Sequence, residues 1–292
     1  MAEAGGGAGA GFSGSIVAIV TPFKGNELDL DAFASLVEWH VASGTSGIVV
    51  AGTTGESATL HPEERETLCR RAIVAAKGRV PVIAGAGTNA TWSTVQLTRA
   101  AVQWGADALL VVTPYYNKPT QEGLFRHFEE TARAALGRPV ILYDVPSRTA
   151  VTIQEPTLKR LAKVPGIVAL KDATGDQDRV QRLAAETSLT LLAGDDVATL
   201  EAMRRGAKGV ISVAANVVPE KMARLCRDRD EGIHEELSPL FKALFVETNP
   251  IPVKFALHRM GRIRNELRLP LVPLSAEHEP TVADALRRAG AI

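Results

Sequence analysis

The stretch Ile167-Val168-Ala169-Leu170-Lys171-Asp172 sets four consecutive apolar residues directly before a lysine and an aspartate. A strand with one wet face alternates apolar and polar residues. A short run that is apolar at every position is buried on both faces, as in a parallel sheet. Runs of the same kind recur at Ile16–Val20, Gly47–Ala51, Val80–Ala84, Ala108–Val112, Val140–Tyr143, Leu189–Ala193 and Val210–Val213. Their starts advance by roughly 20 to 33 residues, the length of one βα unit. Helical patterns lie between them. His61-Pro62-Glu63-Glu64 opens one, with proline at a first helical position and acids at the positive end of the dipole, and Leu68, Ala72 and Ala75 continue it. Leu124, Phe128 and Ala132 repeat every fourth residue in another. Strand and helix alternate with no Pro/Gly/Ser linker, which predicts an α/β chain folded as a (β/α)8 TIM barrel over residues 14–230. An open doubly wound sheet fits less well, because the units are equal and no phosphate fingerprint follows the first strand.

About sixty residues follow the last unit. Ile233, Leu237, Leu240 and Leu244 share one helical face, Pro250 and Pro252 break the chain, and helices are expected near Val253–Met260 and Glu279–Ala289. Residues 231–292 thus read as a C-terminal helical extension. At the other end, residues 1–13 read as a Gly/Ala-rich disordered tail, with the first ordered element near Gly14. That tail lacks the basic start and apolar centre of a signal peptide, so the expected location is cytoplasmic. The 292 residues carry 33 Lys+Arg against 33 Asp+Glu, so no global field attracts nucleic acid or an anionic membrane. No apolar run is long enough to span a bilayer. Cys69 and Cys226 are lone thiols, expected to be small buried hydrophobes in a reducing compartment.

In such barrels the reactive groups sit at the C-terminal ends of the strands. Lys171 ends its run and should point into the barrel mouth. Burial of a lysine disfavours its charged form, and a neutral amine attacks carbonyls to form a Schiff base. The alternative is a rim lysine paired with Asp172 or another acid. Thr53, Thr54, Tyr116 and Tyr143 place hydroxyls at the same face, where they can hold a carboxylate or pass protons. All 3 tyrosines of the chain, Tyr115, Tyr116 and Tyr143, fall in two barrel-top loops. Arg148 offers a planar fork for a carboxylate. Metal chemistry is not expected: the 6 histidines are scattered without ligand spacing, and Gly194-Asp195-Asp196 reads as a turn followed by a helix start.

The segments Gly52-Thr53-Thr54-Gly55-Glu56-Ser57, Pro114-Tyr115-Tyr116-Asn117-Lys118-Pro119, Tyr143-Asp144-Val145-Pro146-Ser147-Arg148-Thr149, Leu170-Lys171-Asp172-Ala173-Thr174-Gly175, Gly194-Asp195-Asp196 and Gly209-Val210-Ile211-Ser212-Val213 are familiar together. In that order, with Glu247-Thr248-Asn249-Pro250-Ile251-Pro252-Val253-Lys254 in the extension, they resemble the dihydrodipicolinate synthase family. Its members are class I pyruvate aldolases related to N-acetylneuraminate lyase. The resemblance implies a barrel that condenses pyruvate with aspartate 4-semialdehyde to 4-hydroxy-tetrahydrodipicolinate, in diaminopimelate and lysine biosynthesis. Lys171 would form the pyruvate imine and Tyr143 would shuttle its protons. Thr53 would link Tyr143 to Tyr116, which would reach into a neighbouring subunit's site. Thr54 and the backbone at Ile211 would hold the pyruvate carboxylate, with Gly194 in the same substrate-binding set. Arg148 would take the carboxylate of the semialdehyde. No cofactor is implied, because the imine is the electron sink, and the implied assembly is a homotetramer, a dimer of dimers.

The fold is shared by aldolases and lyases of sugar acids and hydroxyproline-derived keto acids. The pair Thr53-Thr54 and the presence of Arg148 favour the synthase branch over them. Asp144, Asp172 and Ala150 stand where the family commonly has Asn, Glu and Gly. Ser57, Ala58, Asn89 and Tyr115 match a lysine-binding allosteric pocket. Ser93 and Arg65, however, stand where lysine-sensitive members carry Glu and His. An acid lost and a cation gained predict weak or absent inhibition by lysine.

Overall fold

The computed structural model describes residues 12–292, so the expected tail lies outside the described residues except for Phe12 and Ser13. Each apolar run is a strand. In chain order they are β1 (Gly14–Ala18), the short hairpin pair β2 (Phe23–Lys24) and β3 (Glu27–Leu28), β4 (Gly47–Val50), β5 (Val82–Gly85) and β6 (Ala108–Val112). Then come β7 (Val140–Asp144), β8 (Ile167–Asp172), β9 (Thr190–Ala193) and β10 (Gly209–Ser212). β1 pairs in parallel with both β4 and β10, which closes a barrel of eight parallel strands. The barrel is the one expected from the recurring runs. The hairpin was not foreseen; its turn is Gly25-Asn26, with Gly25 at φ 61°.

Strand ends differ from the apolar runs by a residue or two, for local reasons. The first strand stops at Ala18 rather than Val20, because the Val20 N–H turns to the side chain of Asn216 at 3.1 Å. β5 starts at Val82, after Pro81, which has no N–H to give a ladder. Along each strand the side chains alternate. Ile16, Val49, Ile83, Ile141, Ala169 and Ile211 fill the barrel interior as one cluster. Val17, Ile48, Val82, Leu142, Leu170 and Val210 belong to a second cluster that packs the barrel wall against its helices.

The helices are α1 (Leu30–Ala42), α2 (Pro62–Ala76), α3 (Thr91–Trp104), α4 (Gln121–Ala134), the single turn α5 (Pro146–Thr149), α6 (Glu155–Leu161), α7 (Gln177–Glu186), α8 (Thr199–Arg204) and α9 (Pro219–Asp228). Proline opens α2 as its spacing suggested, and Glu64 reaches back to accept the His61 N–H at 2.9 Å. The extension supplies α10 (Glu231–Ala243), α11 (Ile251–Arg259) and α12 (Glu279–Arg288). α11 begins two residues before the expected Val253. Pro252 sits in its first turn, where a missing N–H costs nothing, so it starts the helix instead of breaking it. Residues Ile251 to Leu257 of α11 are all buried, Lys254 among them. No helix of the described residues is long and apolar enough to cross a membrane.

Candidate active site

The alternation of β8 decides the fate of its last two residues. Ala169 and Lys171 face the barrel interior, whereas Leu170 and Asp172 face the helices. On the neighbouring β7, Ile141 and Tyr143 face inward and Asp144 outward, in register with Lys171 and Asp172. Lys171 is therefore buried at 5% exposure, with Nζ 4.0 Å from the centroid of the Tyr143 ring. Asp172 is not its partner. One Asp172 oxygen accepts from the Thr174 N–H and hydroxyl at 2.9 and 2.6 Å. The other lies 3.1 Å from Nε of Arg179, which arrives from α7. The same guanidinium donates to Asp144 at 2.7 Å, and Asp144 also accepts the Ile153 N–H at 3.0 Å. One buried arginine thus ties the outward faces of the two strands whose inward faces carry Lys171 and Tyr143. Burial pushes the Asp144 carboxyl up to about 6, against the downward pull of Arg179.

The loop after β4 carries Thr53 and Thr54 and is fastened from the extension. Glu56 holds φ at 55°, and its fully buried carboxylate pairs with the fully buried Lys254 of α11 at 2.5 Å. Lys254 also donates to the Thr21 carbonyl at 2.9 Å, and the Arg268 N–H donates to Glu56 at 3.1 Å. Burial lowers the Lys254 ammonium from the usual lysine range and Glu56 pulls it back up. Asn249, just before α11, donates from Nδ2 to the Thr54 hydroxyl oxygen at 3.0 Å. Its carbonyl accepts from Arg148 at 3.2 Å. Thr53, Arg148 and Asn249 share the lining of a cavity of about 370 Å³ with Ser57, Ala58, Arg65 and Tyr115. A larger hollow of about 580 Å³, lined by Ser13, Gly14, Ser46 and Lys208, includes none of the candidate residues and lies at the strand N-termini. Chemistry in this fold belongs to the opposite face.

The remaining candidates are placed as follows. Ile211 is buried on β10, paired with Ile16 of β1. Gly194 donates its N–H to the Asp172 carbonyl at 2.7 Å; a Cβ there would meet that oxygen at 2.9 Å and the Ala173 Cβ at 2.7 Å. Tyr116 is 89% exposed with φ at 75° and turns away from its own barrel. Among the described residues, no hydrogen bond joins Thr53, Tyr116 and Tyr143 within the chain. Asn89 accepts from Asn117 through its carbonyl at 2.8 Å and, like Ser93, is not part of the cavity lining. The Arg65 guanidinium donates to the Ser57 carbonyl.

His40 and His127 are buried packing residues, pushed down to about 3 and about 4 by burial. Both cysteines are buried. Asp196, in the turn between β9 and α8, bridges to the loop after β10 by accepting the Val213 and Ala214 N–H groups at 3.1 and 2.8 Å. Among the described residues no three His, Cys, Asp or Glu side chains gather as a metal site. Sequence reasoning singled out neither Asn249, Lys254 nor Arg179. Lys254 had a signal: a single charge inside the apolar run Ile251–Leu257 needs a buried partner.

An inward lysine beside a tyrosine at the C-terminal mouth of a (β/α)8 barrel is an arrangement suited to Schiff-base chemistry on a carbonyl substrate. Residues 11–289 match the model of the Dihydrodipicolinate synthetase family, and the chain belongs to that family. It is 49% identical over 290 residues to the 4-hydroxy-tetrahydrodipicolinate synthase of Thermodesulfovibrio yellowstonii, covering 96% of this chain and 99% of that protein. The Pseudomonas aeruginosa enzyme of the same name is 49% identical over 291 residues, again covering 96% and 99%. The crystal structure of the chloride-inhibited dihydrodipicolinate synthase of Acinetobacter baumannii complexed with pyruvate superposes with a TM-score of 0.93. It is 45% identical, over 96% of this chain and 99% of that one.

Proposed function

We infer that the protein is a lyase that condenses pyruvate with L-aspartate 4-semialdehyde to 4-hydroxy-tetrahydrodipicolinate, a step toward diaminopimelate and lysine. The observation that carries this reading is Lys171, buried beside Tyr143, in a chain alike over almost its full length to synthases of that name. The Lys171 amine adds to the pyruvate carbonyl and water leaves, giving an imine. The imine acidifies the adjacent methyl group, and Tyr143 moves the proton that converts it to an enamine. The enamine carbon bonds to the aldehyde carbon of the semialdehyde, whose oxygen takes up a proton. The amine of the semialdehyde then attacks the imine carbon, which closes the ring and releases Lys171.

Thr54 and the backbone at Ile211, with Gly194 alongside, hold the pyruvate carboxylate, and Arg148 receives that of the semialdehyde. Its fork of donors selects an acidic aldehyde over a neutral one. The exposure of Tyr116 supports a relay, with Thr53 and Tyr143, that is completed by a second copy of the chain. The assembly is a homotetramer built as a dimer of dimers, and the enzyme works in the cytoplasm without a cofactor. Arg65 in the lining beside Ser57, Ala58 and Tyr115 supports weak or absent inhibition by lysine. Half-inhibition below about a millimolar, roughly 4 kcal/mol of binding, would overturn that last point.

The test is intact mass after borohydride reduction with pyruvate, on wild type and Lys171→Ala, followed by addition of the semialdehyde to unreduced enzyme. The expected result is a pyruvate adduct on wild type only, with consumption of the semialdehyde. An adduct without consumption moves the second substrate to another aldehyde, and no adduct removes the mechanism.

A further inference from the structure

We propose that Asn249 is a positioning residue that orients the Thr54 hydroxyl toward the pyruvate carboxylate. The proposal rests on the Schiff-base reading above. It starts from one hydrogen bond. Nδ2 of Asn249 donates to Oγ1 of Thr54 at 3.0 Å, with both side chains buried. A hydroxyl carries one hydrogen and can accept on its lone pairs. Because the Asn249 Nδ2–H occupies one lone pair, the hydroxyl hydrogen of Thr54 points away from it, toward another acceptor. An anionic carboxylate seated there receives a charge-assisted bond. The carbonyl oxygen Oδ1 of Asn249 has no hydrogen-bond partner in the structure, so the side chain acts on Thr54 as a donor alone.

The same residue touches the second substrate's fork. The Asn249 carbonyl accepts from Nη2 of Arg148 at 3.2 Å, and both residues line the 370 Å³ cavity. Asn249 can hold these two contacts because its helix is fixed. The Lys254–Glu56 pair ties α11 to the Thr54 loop, two residues past Thr54 and five past Asn249. The helical extension therefore reaches into the site.

Asn249→Asp separates orientation from packing, since it keeps the shape and exchanges the donor for an acceptor. The carboxylate would capture the Thr54 hydrogen. The concentration of pyruvate that half-saturates borohydride-trapped adduct formation is expected to rise about 10- to 100-fold, with the limiting extent of trapping unchanged. Asn249→Ala, which frees the hydroxyl to rotate, is expected to raise it less, by about 3- to 10-fold. Both substitutions are repeated in a Thr54→Val background, where each is expected to add less than about 2-fold, because their effect acts through Thr54. Wild-type half-saturation in Asn249→Asp overturns the proposal. So does an effect of either substitution that persists at full size beside Thr54→Val, which would mark bare charge repulsion or loose packing. If Asn249→Asp does not fold, the alanine pair alone decides by the same criterion. Failure of wild type itself to form an adduct is the separate result that removes the Schiff-base reading.

Discussion

Asp144 and Asp172 each follow a candidate catalytic residue by one position, and both lean on one guanidinium. The cluster of Asp144, Asp172 and Arg179 is buried and, with both acids ionised, carries one uncompensated negative charge. Such a charge is disfavoured in a low dielectric, which is why the Asp144 carboxyl is pushed up to about 6. Asp196, buried in its turn, is likewise raised to about 6, chiefly by burial. A carboxyl that holds its proton more tightly when folded than when unfolded weakens the fold as pH rises. The penalty is absent below the unfolded value near 4, grows between there and about 6, and is constant above. Asp144→Asn removes it, keeps an oxygen for the Ile153 N–H, and leaves Arg179 to Asp172. The variant is therefore expected to exceed wild type in urea midpoint at pH 7.5 and to lose that advantage at pH 4. A lower midpoint at pH 7.5 would show that the Arg179–Asp144 attraction outweighs the burial of the charge.

At the scale of elements, two short segments matter, one for a strained backbone position and one for a buried charge. α5 ends on Ala150 at φ 57°, a conformation that costs a residue with a Cβ about 1–2 kcal/mol relative to glycine. Ala150→Gly is expected to stabilise by about 0.5–1 kcal/mol, after the greater flexibility of glycine in the unfolded chain is deducted. Differential urea unfolding checks it, and no gain would mean the turn is held without strain. α11 depends on Lys254, which answers Glu56 with neither side chain exposed. Lys254→Met strands the carboxylate and is expected to cost about 3–5 kcal/mol, with most of the loss recovered by adding Glu56→Gln. A single-variant loss under about 1 kcal/mol would mean that water reaches Glu56. The strands were legible in the sequence because each is a continuous apolar run, and Lys171 was legible because it ends one. The partners of these charges were not. Arg179 meets Asp144 from 35 positions away, and Glu56 and Lys254 lie 198 apart. Spacing along the chain holds no record of such pairings. Asn249 is an ordinary residue between two helices until the fold brings Thr54 to it. The hairpin of β2 and β3 went unread because two-residue strands show no periodicity, although Gly25-Asn26 marked its turn.

For the molecule as a whole, Tyr116 is the residue that one copy of the chain leaves unexplained. Its ring is almost fully exposed, its backbone is held at a φ that bulky residues avoid, and it bonds to neither Thr53 nor Tyr143 of its own barrel. An exposed aromatic in a strained backbone is what a protein keeps when the side chain is used somewhere other than its own core. If Tyr116 completes the relay of a second copy, two inactive variants should repair each other. Lys171→Ala lacks the nucleophile, and Tyr116→Phe lacks the hydroxyl. In a mixed dimer the site holding the intact Lys171 receives its Tyr116 from the other subunit, so that site is whole, while its counterpart has lost both. Co-expression in equal amounts gives mixed dimers as about half of the population, each with one complete site in two, so about a quarter of the wild-type rate should return. Each variant alone should stay far below that level, and the purified mixture should show both masses in one native assembly. A mixture no more active than the average of its parents, despite proven mixed assemblies, would place Tyr116 in its own subunit's site or outside the relay altogether. Recovery would make the dimer the smallest unit that can turn over substrate, because no single barrel holds a complete proton path.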